Sequence, residues 1–260
     1  MSRKKAIRHK AIIDQLETNP SMRVGELSSV LGVTKETIRR DLEELSEQNI
    51  IDRTYGGAVL RQPSEAVLSE RHKEHREERS AIAKVAVPLL KGAKVIMIGS
   101  GATTVHVAKR IAFEINNVTV ITHSFGVATV LSLNPTIKVI MAPGEYYASE
   151  GAVHGAQTVR FLSELSADWT VLGASGVTTT GPSDALMEAS DVYRTMISQS
   201  ECCMITADHT KFDRQAVAQF SHWSDIDCLV TDVQPDSSLN QSLKDEKVNI
   251  ILSSNSPLAS

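Results

Sequence analysis

The stretch Val33-Thr34-Lys35-Glu36-Thr37-Ile38-Arg39-Arg40-Asp41-Leu42-Glu43-Glu44-Leu45 decides how the first quarter of the chain folds. Ile38, Leu42 and Leu45 fall at i, i+4 and i+7, one apolar stripe that predicts a helix. Thr34 stands just before it and suits an N-cap, its hydroxyl accepting from a backbone N–H without an intrahelical partner. Lys35, Glu36, Thr37, Arg39 and Arg40 lie off the stripe near the N-terminal end. That is where a recognition helix presents cationic and hydrogen-bonding side chains to a major groove. Alone, such a helix reads first as a solvated surface helix with Arg–Glu pairs. Its neighbours reverse that reading.

Residues 4–17 predict a first helix with Ile7, Ile12, Ile13 and Leu16 inward, ended at Thr18-Asn19-Pro20-Ser21 because proline disfavours helix in the residue before it. A second helix over residues 24–31 turns Leu27, Val30 and Leu31 inward, and Gly32 supplies a tight turn. Helix, short turn, helix is the helix-turn-helix arrangement. Residues 49–59 then read as a two-stranded ribbon turning near Tyr55-Gly56-Gly57. From such a wing Arg53 and Tyr55 could reach phosphates or a minor groove. Residues 1–60 are therefore expected to form a winged helix-turn-helix domain.

Composition is that of a soluble globular chain, with 42% hydrophobic and 22% charged residues over 260 positions. Aromatics are only 4%, so the core must be aliphatic. A net charge of −4 does not by itself suggest nucleic-acid binding. Charge is unevenly placed, however: 11 Lys+Arg against 9 Asp+Glu in residues 1–62, and 16 against 22 in the remainder. A basic head on an acidic body fits a tethered nucleic-acid module. Cys202, Cys203 and Cys228 show neither metal-ligand nor disulfide spacing. The first two sit in an apolar run and read as small buried hydrophobes. The basic N-terminus lacks the apolar core of a signal peptide, and no apolar run reaches the roughly 18 residues of a membrane helix. A reducing cytoplasm, no membrane, no metal and no cofactor are expected.

Residues 61–80 are dense in charge and read as a linker that becomes a helix. Arg71, Arg76 and Arg79 could touch DNA, but a solvated helix face is the better reading. A helix through Ile82, Val85, Ala86, Leu89 and Leu90 ends at Gly92. Apolar runs at 95–98, 118–122, 138–141, 169–173, 202–207, 227–231 and 248–252 then alternate with amphipathic segments. This predicts an α/β domain over residues 81–252, a mostly parallel sheet covered on both faces, followed by a flexible tail at 253–260.

Ligands in such folds gather beyond the carboxyl ends of the strands. The loop Gly99-Ser100-Gly101-Ala102-Thr103-Thr104 follows a strand and opens a helix. Glycines admit an anion to backbone N–H groups, the helix N-terminus adds partial positive charge, and hydroxyls add donors. Thr122-His123-Ser124 is a second turn of this kind, with His123 packing or binding water rather than catalysing. Ser175 and the segment 181–188, including Glu188, add polar groups, and Asp208 could accept from sugar hydroxyls. Lys211 is the sharpest candidate, because a cation beside a glycine-rich loop completes a phosphate or carboxylate site. It reads equally as a surface lysine paired with Asp208 or Asp213. Glu188 and Arg194 could line the pocket or merely pair.

Glu26-Leu27-Ser28, Leu31-Gly32-Val33-Thr34, Thr37-Ile38-Arg39-Arg40-Asp41-Leu42 and Arg53-Thr54-Tyr55-Gly56-Gly57-Ala58 resemble the DeoR-type family of bacterial transcriptional regulators. In the second half Gly101-Ala102-Thr103-Thr104, Val192-Tyr193-Arg194-Thr195-Met196 and Ala207-Asp208-His209-Thr210-Lys211-Phe212 resemble that family's sensor domain, itself similar in fold to ribose-5-phosphate isomerase. The resemblance implies a sequence-specific reader of operator DNA, usually a repressor of a carbohydrate-metabolism operon. It also implies release by a phosphorylated sugar or related anionic metabolite. Arg39 and Arg40 match the motif, though either could pair with Asp41 or Glu44 instead of DNA. The family usually has Asp where this chain has Gly99 and Lys where it has Tyr193, departures that suggest altered ligand selectivity. An isomerase fused to a DNA-binding head is an alternative. However, the places of that enzyme's acids and lysine fall at Leu172, Ser175 and Thr180, none of which is a carboxylate or an amine. A metabolite-independent activator is the other alternative. Two-fold operators pair with two-fold proteins, so at least a dimer is expected.

Overall fold

The computed structural model describes residues 3–19, 21–47, 51–54, 56–60, 68–71 and 73–253, divided between two compact units, Met1–Ser64 and Glu65–Ser260. The first unit contains α1 (Arg3–Thr18), β1 (Ser21–Arg23), α2 (Val24–Leu31), α3 (Lys35–Glu47), β2 (Ile51–Thr54) and β3 (Gly57–Leu60). Ile12, Leu16, Leu27, Ile38, Leu42, Leu45 and Ile51 make its core, so the stripe that predicted α3 faces inward. The Thr37 N–H donates to Thr34 Oγ1 at 3.2 Å, the expected cap. Gly32 turns the chain between α2 and α3 with a left-handed φ of 64°, and its N–H donates to the Ser28 carbonyl.

The ribbon of β2 and β3 forms as expected, and β1 adds a third strand on the other side of β3. Three residues are too few to show a period, so β1 was not legible. Its closeness explains Gly57, where a Cβ would lie 2.2 Å from the Met22 carbonyl oxygen. Two expected core residues are exposed, Ile7 at 63% and Val30 at 56%. In α2, Val24 and Val30 flank Leu27 on opposite sides, and the core lies toward Val24. In α1, His9 takes the inward place, three residues before Ile12 and seven before Leu16.

His9 is turned inward to meet Asp41, which is 1% exposed. Asp41 Oδ1 lies 2.9 Å from Arg8 Nη2 and 3.2 Å from His9 Nε2, and Oδ2 accepts from Arg8 Nε. Burial opposes the carboxylate's charge, but the Arg8 and His9 interactions outweigh it and hold the carboxyl below its ordinary 3.8. Asp41→Ala is expected to destabilise the first unit by about 2–3 kcal/mol, between the ranges for exposed and buried pairs because Arg8 is partly solvated. A folded value below the unfolded one stabilises above the unfolded value and is lost as pH falls through the folded one. The difference between Asp41→Ala and the parent, read by denaturant unfolding with hydrogen exchange across α3, should therefore shrink below about pH 4.

The second unit runs α4 (Leu68–Arg71), α5 (Arg76–Ala86), β4 (Val95–Ile98), α6 (Ala102–Glu114), β5 (Thr119–Thr122), α7 (Phe125–Leu131), β6 (Lys138–Met141), β7 (Glu145–Tyr147), β8 (Ala152–His154), α8 (Ala156–Ser163), β9 (Ala167–Leu172), β10 (Gly176–Thr178), β11 (Gly181–Asp184), α9 (Met187–Ser198), β12 (Ser200–Thr206), β13 (Ala218–Gln219), β14 (Cys228–Thr231), α10 (Ser237–Asp245) and β15 (Asn249–Leu252). Seven parallel strands form one sheet in the order β15-β14-β12-β9-β4-β5-β6. Ile82, Leu90, Ile96, Ile98 and Ile111 build one core cluster, and Leu172, Tyr193, Met196, Leu229 and Leu239 build the other.

The doubly covered parallel sheet is as expected. The hairpin β7–β8, the small antiparallel sheet β10-β11-β13 and helix α10 were not anticipated. Leu89 is 38% exposed rather than inward. Cys203 and Cys228 are buried free thiols, while Cys202 is only half-buried. Arg76 faces solvent as expected, but the Leu68 N–H donates to the Ser149 carbonyl at 2.9 Å, and Arg71 and Arg79 are buried within the second unit rather than on a solvated face. The Ser253 N–H donates to the Thr231 carbonyl, so Ser253 is part of the folded unit, and the rest of the expected tail, residues 254–260, lies outside the described residues. No helix among the described residues is long and apolar enough to cross a membrane.

Candidate functional sites

In the first unit α3 divides its side chains by face. Ile38, Asp41, Leu42 and Leu45 point inward, while Thr34, Lys35, Glu36, Arg39 and Arg40 are exposed and Thr37 is half-buried. Arg39 Nη1 and Arg40 Nε lie 3.6 and 3.7 Å from the Glu36 carboxylate, with side chains 58% and 77% exposed. Neither takes the alternative partners considered above, because Asp41 is bound by Arg8 and His9, and Glu44 by Lys5. Long, solvated pairs such as those with Glu36 contribute little and are readily exchanged for phosphates or base edges. Arg53 is exposed on β2, and Tyr55 lies outside the described residues.

In the second unit the carboxyl ends of β4, β9 and β12 bound a narrow cavity of about 20 Å³. Ser100, Gly101, Ala102, Thr103, Ser175 and Lys211 line it, as read from the sequence. Gly101 adopts a φ of 136° and aims the first turn of α6 at the cavity without a side-chain cap. Two arginines, the carboxylates of Glu150 and Asp184, and Tyr193 join them. Arg71 from α4 pairs with Glu150 across the cavity. Arg79 from α5 is 3% exposed, lies 3.3 Å from Asp208 and donates through Nη1 to the carbonyls of Arg71 and Glu74. Asp184 accepts from the Leu186 N–H at 3.0 Å and from Ser175 Oγ at 3.3 Å.

Several expected residues stand elsewhere. Asp208 is wholly buried, and its oxygens are engaged by Thr210 and Arg79, so it fixes the cations rather than meeting a ligand hydroxyl. Burial would raise its pKa, but Thr210, Arg79 and Lys211 together lower it. Thr104 Oγ1 turns back to the Gly101 carbonyl, Thr122 Oγ1 donates to the Ile98 carbonyl, and Ser124 caps α7. Arg194 lies on a different face, paired with Asp191 at 2.7 Å and bonded to the Gln219 carbonyl. It pairs with neither Glu188 nor the cavity. Glu188 is exposed beside Tyr147 rather than among the lining residues.

His123 packs as anticipated and supports the loop from behind. The Ser100 N–H donates to its Nε2 at 3.0 Å, so its Nδ1–H must be the group that donates to the Val153 carbonyl at 2.9 Å. Burial, reinforced by the neighbouring His154, lowers its pKa to about 3, and the imidazole stays neutral.

A helix-turn-helix with a wing, followed along the chain by a parallel α/β unit holding a cationic cavity at its strand ends, defines a transcriptional regulator with a sensor domain. The chain belongs to the DeoR family: residues 8–64 match the DeoR-like helix-turn-helix domain and residues 74–233 the DeoR C terminal sensor domain. It is 31% identical over 256 residues to the glycerol-3-phosphate regulon repressor of Escherichia coli, covering 96% of this chain and 99% of that one. It is 30% identical over 250 residues to the HTH-type transcriptional repressor CsqR of the same species, covering 94% of each. Among solved structures, ribose 5-phosphate isomerase A of Methanocaldococcus jannaschii aligns with a TM-score of 0.39 and 19% identity over 54% of this chain and 55% of that one.

Because the folded His123 refuses a proton that the unfolded chain accepts below its ordinary 6.5, stability is expected to fall with pH from that value toward 3. Lowering pH from 7 to 5 should remove about 2 kcal/mol through this group alone. His123→Gln, compared with the parent by denaturant unfolding at both values, should lack most of that loss.

Proposed function

We propose that this regulator represses a carbohydrate-metabolism operon from double-stranded operator DNA and is released by a phosphorylated sugar or a related anionic metabolite bound in the second unit. The observation that carries this reading is the placing of Arg71, Arg79 and Lys211, all less than 10% exposed, around the N-terminal turn of α6. Buried cations beside unsatisfied backbone N–H groups suit a phosphate or sulfonate. The carboxylates of Glu150 and Asp184 on the same wall suit ligand hydroxyls. One relative is named for a glycerol-3-phosphate regulon, which supports a phosphorylated polyol as the class. The ligand is bound without turnover: Glu150 is held by Arg71 and Asp184 by a backbone N–H, and neither is placed as a free base. Lys35, Arg39, Arg40 and Arg53 supply the cationic face for the groove, and Thr34, Glu36, Thr37 and Tyr55 complete it. We assign the protein to the cytoplasm and expect at least a homodimer, so that two recognition helices meet two half-sites.

Two measurements test this reading. Arg39→Ala and Arg40→Ala should each weaken operator binding, by about 1–3 kcal/mol with relaxed specificity for a base contact, or uniformly on all sequences for a phosphate contact. Unchanged binding by both variants would remove α3 as the reading element. A panel of sugar phosphates and sugar acids should include one that lowers operator affinity, with coupling of about 1–3 kcal/mol. Lys211→Ala should blunt that response while leaving DNA binding without ligand intact.

A further inference from the structure

Helix α4 begins at Leu68, and the last strand of the first unit, β3, ends at Leu60. Among the described residues, α4 is therefore where the chain arriving from the first unit is first anchored to the second. Two of its ties run to adjacent residues of one turn. The Leu68 N–H donates to the Ser149 carbonyl at 2.9 Å, and Arg71 Nη2 pairs with the Glu150 carboxylate. The Leu68 side chain is 7% exposed and packs against the same turn, since a Cβ on Gly151 would stand 3.5 Å from Leu68 Cδ2. Residues 149–151 are the tip of the hairpin β7–β8, which forms a two-stranded sheet of its own. A further tie, from Arg79 Nη1 to the Arg71 carbonyl, holds only the last residue of the helix.

The Arg71 and Glu150 side chains also line the strand-end cavity, together with Lys211 and the N-terminal turn of α6. The contact that fastens α4 to the hairpin tip thus faces the same space as the cations. A ligand anion competes with Glu150 for the guanidinium, and a ligand hydroxyl competes with Arg71 for the carboxylate. Either divides the pair. A guanidinium that served both anions at once would leave two negative charges sharing a poorly solvated wall, which is costly. A ligand shifts an equilibrium only through its different affinity for the two states. Here that difference is built into one ion pair.

We infer that α4 is the coupling element of this regulator: docked on the hairpin tip it anchors the chain arriving from the DNA-binding unit, and an anion bound in the cavity undocks it by dividing the Arg71–Glu150 pair. The docked helix belongs to the operator-binding state, because the proposed effector releases DNA. Undocking moves the first anchor from Leu68 toward Arg79 and α5. The reach of each DNA-binding unit widens, and the effective concentration of the second one at its half-site falls. This rests on the cavity being the effector site.

The test uses the full chain, with trypsin and operator binding as readouts. Arg71 is 8% exposed in the docked helix, so the rate of cleavage after it follows undocking. Glu150→Gln removes the ion pair and keeps the size. Leu68→Ala loosens the helix at a residue that does not line the cavity. Both should speed cleavage after Arg71 by about tenfold or more, and both should weaken operator binding without ligand by about fivefold or more. Leu68→Ala should leave calorimetric binding of inorganic phosphate unchanged. In the parent, saturating inorganic phosphate should speed the same cut, and Lys211→Ala should remove that effect. Faster cleavage without loss of operator affinity, unchanged cleavage in Glu150→Gln, or bound phosphate that slows the cut or leaves it alone each overturns the role of α4 while the cavity reading stands. If neither inorganic phosphate nor glycerol 3-phosphate binds the parent, the cavity reading fails and this inference with it.

Discussion

The guanidinium of Arg79 ties together the elements that bound the strand-end cavity. It is almost fully buried and meets Asp208 at the end of β12 and the carbonyls of Arg71 and Glu74. A buried arginine has five donors to satisfy, and leaving them unmet is costly. Satisfying them ties the carbonyls of Arg71 and Glu74 to the strand end, and the Arg71 side chain pairs with Glu150 at the same cavity that Lys211 lines. An arginine suits this place because its planar guanidinium carries five donors in a fixed fork, whereas a lysine ammonium offers three from a single nitrogen.

The first unit uses the same device in reverse polarity. Asp41 is the buried charge there, and Arg8 and His9 of α1 are drawn to it across the helix-turn-helix. With α1 tied to the inner face of α3, the outer face is left to cations that make only long, solvated contacts. A charge spent on the core orients the helix, and the charges left outside remain available to a polyanion. The Asp41–Arg8 pair takes one charge of each sign out of play, so the modest positive balance of this region is carried by the charges left outside.

What could be read from sequence was whatever repeats. The seven parallel strands are mostly apolar along their centres because both faces of the sheet are covered, and such runs stand out. The hairpins 145–154 and 176–184 are rich in Gly, Ser, Thr and Glu and short enough to pass as loops. The buried charges were hidden by a different habit, that of reading charge as solvation. Yet each lies on an apolar stripe. Arg79 precedes Ile82, Ala83 and Ala86 by three, four and seven residues, and Asp41 stands three after Ile38 and four before Leu45. A charged residue in register with a core stripe was the available signal for both.

Helix α9 shows the same rule deciding between neighbours. Glu188 and Arg194 drew attention as charged groups near a strand end, and both face solvent. Tyr193 stands four residues after Ala189 and three before Met196, on the face that packs against the sheet. One residue further, Arg194 is turned by about 100° and leaves the cavity for another surface. Period therefore outweighs residue type in assigning a side chain to a site: the uncharged member of the pair reaches the wall because the helix turns it there, and it fills the room that a Cβ at Gly99, 2.9 Å from Tyr193 Cε1, would need.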